Sequence, residues 1–169
     1  MLRKVGYRMG IVGIEIQRRE EAEEVWELQH PAYRVEAALI GVPDLPPLQD
    51  TIQSLQACGE TFIGYRNEEG DLVGAVAYER IRSSEYTISR MMVHPDFMRQ
   101  GIGTLLLRHL LTTEKLKFCV WSVTAEIRNL PAIALYERFG FARRMTFSPI
   151  EGIEMVKLIR LPSGETTPT

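Results

Sequence analysis

Gly101 and Gly103 stand at the start of an apolar run, a few residues after Val93-His94-Pro95. Glycines at a helix N-terminus leave backbone N–H groups open to a ligand with no Cβ in the way. The unpaired N–H groups and the helix dipole there favour an anion, above all a phosphate. Arg99 adds a positive charge beside them, and Gln100 keeps the segment polar. The common phosphate loops do not fit. Gly103 is followed by Thr104-Leu105 rather than by the Lys-Ser/Thr of a P-loop, and Leu106 occupies the place of the third small residue of a dinucleotide fingerprint. Alone, Gly-x-Gly reads first as a bare tight turn into a helix. A second constellation is Asn129, Ala132 and Tyr136, followed by Gly140-Phe141. Asn129 suits an N-cap, Pro131 the first turn, and Gly140 the C-terminal stop. Ala132 and Tyr136 lie four apart and share a face. By themselves they describe a capped amphipathic helix whose tyrosine packs inward.

The elements that must position these groups follow from the hydrophobic pattern. Residues 9–16 read as a strand, and a helix begins at Glu20 with five glutamates in its first turns, where the dipole favours negative charge. Pro31 is expected to end or kink that helix at His30, with a second short helix over 35–40 and a stop at Gly41. Residues 42–47 form a stiff proline loop, and a further helix is expected over 48–57. Strands at 61–65 and 72–78 flank a turn at 67–71, a hairpin pattern. A third strand covers 86–93, then come a buried helix over 101–111, a strand over 118–124, a helix over 130–139, and strands at 141–147 and 153–159. A meander makes antiparallel pairs, whereas the crossover through 101–111 makes one pair parallel.

Composition narrows the class. The chain has 169 residues, 45% hydrophobic and 25% charged, which is globular composition of one-domain size. Twenty Lys and Arg against 22 Asp and Glu leave a net charge of −2, no electrostatic footprint for nucleic acid. No apolar run approaches the roughly 20 residues that span a bilayer, and MLRKVGYRMG lacks a signal peptide's apolar stretch. Cys58 and Cys119 make neither a disulfide scaffold nor a zinc site. A cytoplasmic protein without metal is expected: His30, His94 and His109 have no partners at ligand spacing, and the methionines read as core or pocket lining.

Set in this order of elements, the stretch 90–104 resembles the acetyl-CoA-binding signature of the GNAT superfamily of N-acetyltransferases, Arg/Gln-x-x-Gly-x-Gly/Ala after a strand ending in Val-x-Pro. Met98 departs from it at the first position. Asn129-x-x-Ala132-x-x-x-Tyr136 with Gly140-Phe141 resembles the second signature, at the family's usual distance. The resemblance implies a single-domain α/β fold over 1–160, with 161–169 a flexible tail. Its sheet is mixed and mostly antiparallel, has six to seven strands flanked by helices, and binds acyl-CoA at a splayed parallel pair. It implies acetyl-CoA as cosubstrate, its pyrophosphate on the backbone of Arg99, Gln100, Gly101, Ile102, Gly103 and Thr104. It implies further contacts from Asn129 and Ala132, and a thioester carbonyl polarised by a backbone N–H of the strand end at Met91, Met92 and Val93. Tyr136 becomes the general acid for the departing thiolate, and the acceptor an amine of a small molecule or peptide. The protein would act as a monomer or homodimer.

The base is open. Where many relatives carry a glutamate, six residues before the strand-ending valine, this chain has Thr87. Strand alternation predicts Thr87, Ser89, Met91 and Val93 on one face. Ser89 could hold a relay water, and Glu79 could end the relay. Thr87 leaves room for a catalytically silent acyl-CoA-binding module, whereas Tyr136 favours the enzyme. An ATP-binding reading lacks both its lysine and an acidic Mg²⁺ partner. The glutamates at 20–27 read as a solvated face, and Cys119 as a buried small hydrophobe.

Overall fold

The computed structural model describes residues 8–113 and 115–162. Their elements are β1 (Gly10–Ile14), α1 (Arg19–Ile40), α2 (Ile52–Gln56), β2 (Thr61–Arg66), β3 (Leu72–Arg82), β4 (Glu85–Val93), α3 (Ile102–Thr112), β5 (Val120–Glu126), α4 (Leu130–Arg138), β6 (Ala142–Ile150) and β7 (Ile153–Arg160). The strands form one sheet in the order β1-β2-β3-β4-β5-β7-β6, in which β4–β5 is the parallel pair and every other pair is antiparallel. This is the mixed α/β sheet that the pattern predicts. Of the expected tail, 163–169 lies outside the described residues. No helix among the described residues is long and apolar enough to cross a membrane.

Each face of the sheet buries its own core. Val25 and Leu28 of α1 and Leu55 of α2 pack with Phe62, Ala75, Ala77 and Met92 on one face. Leu106, Leu107 and Leu110 of α3 and Ile133 of α4 pack with Val76, Ile88, Trp121 and Leu158 on the other. Each fully buried Leu or Val contributes about 1.5–3 kcal/mol. Cys119 is buried in the second core, as its type suggests.

Three expectations need correction. Helix α1 runs unbroken through Pro31. An interior proline costs about 3 kcal/mol, but eight buried residues spread along both halves, from Ala22 to Ile40, hold the helix on the sheet. Glu27, four residues earlier, is exposed, so the carbonyl that loses its partner lies on the wet side. The helix expected over 48–57 is instead a 3-10 turn (Pro46–Gln49) and the short α2, because Thr51 and Ser54 close a reciprocal capping box between them. The glutamate run is not wholly solvated. Glu24 accepts from the buried Arg66 guanidinium at 2.6 and 3.0 Å.

The register between β3 and β4 also departs from simple alternation. Ala77 faces Arg90 and Tyr78 faces Ile88, so Ser89 is an extra residue without a partner, a β-bulge. Ile88 and Met91 therefore pack on the same face although three residues apart. Thr87 consequently lies on the face opposite Met91 and Val93, which overturns the predicted grouping.

Candidate active site

The bulge coincides with the end of the parallel pairing. β4 and β5 are in register from Glu85 opposite Val120 to Ile88 opposite Val123, and no further. Tyr86 stacks on Trp121, centroids 5.3 Å apart, and Tyr78 meets both rings edge-on, clamping the paired end. Beyond Ile88 the strands part. The opening is a cavity of about 130 Å³, lined by Ser89, Arg90 and Met91 of β4, Thr124 and Ala125 of β5, Tyr33 and Glu36 of α1, and Asn129, Ala132 and Tyr136. Backbone groups on the facing edges of the parted strands have no neighbouring strand there, so an extended ligand can take its place.

Asn129 caps α4, its Oδ1 accepting from the Ala132 N–H at 3.3 Å. One turn on, Tyr136 is 4% exposed, its ring 5.7 Å from that of Phe141. Burial pushes its hydroxyl pKa well above the ordinary value near 10, and the Glu36 charge adds to the rise. At neutral pH it is a proton donor.

At the other end of β4, the chain turns into α3 through two left-handed residues, Arg99 at φ 62° and Gly101 at φ 78°. A Cβ on Gly101 would touch nothing within 4 Å, so φ alone calls for glycine there. The first helical bond runs from the Leu105 N–H to the Gly101 carbonyl at 2.9 Å. The N–H groups of Ile102, Gly103 and Thr104 therefore have no partner within the helix. The Arg138 guanidinium donates to Thr104 Oγ1 at 3.3 Å and ties α4 to this turn.

The residues singled out from sequence thus fall into two groups, the cavity (Ser89, Met91, Asn129, Ala132, Tyr136) and the turn (Arg99 to Thr104). The side chains of Met92 and Ile102 are buried in the two cores, leaving only their backbones available. Glu79 is exposed on β3 opposite Thr87 and does not line the cavity.

Sequence reasoning missed one wall. Arg90 donates from Nε and Nη2 to Glu60 at 2.9 and 2.8 Å, and from Nη1 to Gln29 at 2.6 Å and to Asp50. Gln29 in turn donates to Asp50 at 3.2 Å and to the Pro47 carbonyl at 3.1 Å. Burial would raise the Glu60 and Asp50 carboxyls, but the Arg90 guanidinium outweighs it and holds both below their usual range. An arginine amid the apolar residues of β4 was the readable signal. Tyr33 and Glu36, three apart on α1, left none.

The profile of the acetyltransferase (GNAT) family matches residues 22–141. The chain is 37% identical over 143 residues to the UPF0157 protein YqkA of Bacillus subtilis, covering 83% of this chain but only 41% of that protein's length. It is 34% identical over 110 residues to the ribosomal protein bS18-alanine N-acetyltransferase of Escherichia coli, covering 62% of this chain and 74% of the relative. The structure of Salmonella typhimurium YncA with its cofactor acetyl-CoA matches with a TM-score of 0.69 at 16% identity, over 96% of this chain and 98% of that one.

Proposed function

The chain belongs to the acetyltransferase (GNAT) family, acyltransferases that draw on acetyl-CoA, and on that premise we propose that it transfers an acetyl group directly to a primary amine. The observation that carries this reading is the parting of β4 from β5 beside a buried, protonated Tyr136. The free N–H groups of Ile102, Gly103 and Thr104 hold the pyrophosphate, with Arg99 and Gln100 alongside. The open edge of β4 at Met91 and Met92 takes the extended pantetheine, and a backbone N–H there polarises the thioester carbonyl. Asn129 and Ala132 face the same cosubstrate from α4. Tyr136 gives its proton to the sulfur as the carbon–sulfur bond breaks.

Gly101→Val tests the placement. Valine tolerates the left-handed region poorly, by about 1–2 kcal/mol, although its Cβ would meet nothing within 4 Å. The turn reorients, and CoA affinity by calorimetry falls about tenfold or more while the fold persists. Unchanged affinity rules out this turn as the pyrophosphate site.

The cavity also bears on the acceptor. Its one lining cation is Arg90, whose guanidinium already faces two carboxylates. Among the described residues no unpaired positive charge lines the cavity to meet an acceptor's own carboxylate. We therefore expect a peptide N-terminus or a polyamine rather than a free amino acid, and the likeness to the Escherichia coli ribosomal protein bS18-alanine N-acetyltransferase makes an alanyl peptide the first probe. Transfer to a short peptide with a free N-terminal alanine should exceed transfer to free alanine about tenfold in kcat/KM, equivalent to about 1.4 kcal/mol. Mass spectrometry reads both products. A preference for free alanine overturns the assignment, and CoA binding with no amine acetylated favours a silent binding module.

A further inference from the structure

We infer that Glu36 is the base of this reaction: its carboxylate, carried by α1 into the cavity that holds Tyr136, takes the proton of the incoming ammonium. The inference rests on the N-acetyltransferase reading above. α1 delivers the group because it does not break at Pro31. Tyr33 and Glu36 sit one turn apart beyond the proline and both face the opening between β4 and β5.

Other carboxylates near the site are occupied or elsewhere. Glu60 and Asp50 are bound to Arg90, and Glu126 accepts from Arg128 at 2.8 and 3.0 Å. Glu79 is exposed outside the cavity. Among the described residues Glu36 pairs with no cation, and the Asn129 side-chain amide beside it in the cavity lowers its carboxyl pKa. Asn129 Oδ1 already accepts from the Ala132 N–H, which leaves its amide NH₂ to face the carboxylate. One residue thus caps α4 and lines the cavity beside the carboxylate.

The charged and titratable groups around Glu36 are Tyr33 on its own helix, Glu126 on β5, Tyr136 on α4 and Arg90 on β4. Burial, then the Glu126 charge, raise the Glu36 carboxyl above its usual range, against the lowering by Asn129. That makes it a stronger proton acceptor than a solvated glutamate. Its charge also raises Tyr136. Once Glu36 is neutralised by the acceptor's proton that effect vanishes, and Tyr136 becomes the better donor as the thiolate needs it.

The protons balance. Glu36 takes one from the ammonium, and the nitrogen lone pair then forms a bond to the thioester carbon. The carbon–sulfur bond breaks, Tyr136 protonates the sulfur, and the proton shed by nitrogen as the amide forms restores Tyr136. Glu36 returns its proton to solvent, so each turnover releases one proton.

The test is the pH dependence of Glu36→Gln acting on acetyl-CoA with the alanyl peptide and with spermidine. At pH 6 the amines are almost wholly ammonium, and kcat/KM should fall about 10²-fold. As pH rises to 9–10 and the peptide amine is freed without help, the deficit should close to a few-fold. CoA affinity should not change. Glu36→Ala with added formate supplies a second variant, whose activity at pH 6 should rise with formate concentration. A deficit that is the same at every pH, or no deficit at all, overturns the inference while leaving the reaction in place. No transfer by the unaltered protein to either amine overturns the reaction itself, and this inference with it.

Discussion

Tyr136→Phe should fold, bind CoA as tightly as the unaltered protein, and transfer acetyl groups about 10²–10⁴-fold more slowly. The ring is buried and packed against Phe141, and phenylalanine keeps that packing. Among the described residues the hydroxyl has no hydrogen-bond partner whose loss would strand a buried polar group. The substitution therefore removes a proton and little else. An ordinary tyrosine titrates near 10, but this one is raised by burial and then by Glu36, so the proton stays in place until charge develops beside it. Two charges arise in the cavity during transfer, a positive nitrogen and a negative sulfur. A buried hydroxyl between them can give to one while receiving from the other. Single-turnover rates with the alanyl peptide, together with CoA titration, separate the effects. An unaltered rate would mean that another group protonates the sulfur. A matched loss of rate and CoA affinity would make Tyr136 a packing residue.

What could be read ahead of the structure was what local chemistry dictates. Gly101 is glycine because its φ is positive, Asn129 caps α4, and Gly140, at φ 85°, ends it. Such requirements sit within a few residues of chain and leave a mark on sequence. The hairpin of β2 and β3 around Asn67 is of the same kind, since the Asn67 side chain accepts from the Glu69 and Asp71 N–H groups. The misreadings were tertiary. Pro31 is a local stop signal that α1 overrides through contacts with β2, β3 and β4. The bulge at Ser89 is a single unpaired residue, yet it moves every earlier β4 side chain to the other face and marks where the cosubstrate's opening begins. The Arg90 cluster gathers Gln29, Asp50 and Glu60 from three separate segments. No spacing rule joins them. Glu36 and Tyr33 belong to the same class, because only the path of an unbroken helix brings them over the sheet.

Arg90→Met should lower stability by about 3–5 kcal/mol at pH 7.5, the usual cost of removing one partner from a buried charge cluster. For a domain of this size that corresponds to a fall of roughly 6–20 °C in Tm. Side-chain exposures of 11% for Arg90, 7% for Glu60 and 17% for Asp50 show how little water could replace the guanidinium. Methionine fills part of the space but leaves two carboxylates buried without a cation. The pH dependence should change sign. In the unaltered protein the folded pKa values of Asp50 and Glu60 lie below their ordinary values of 3.8 and 4.5. The cluster's contribution is therefore present above about pH 4.5 and disappears as pH falls through the depressed folded values. Without Arg90, burial raises the same carboxyls above their unfolded values. They then favour folding when protonated and oppose it as pH rises. The stability gap between variant and unaltered protein should accordingly be widest near pH 7.5 and narrow toward pH 4. Urea unfolding at both pH values measures it, and Glu60→Gln added to Arg90→Met should recover part of the loss at pH 7.5 by removing one stranded charge. A gap below about 1 kcal/mol, or one that does not depend on pH, would make the cluster a solvated surface network whose exposure keeps its charges cheap to separate.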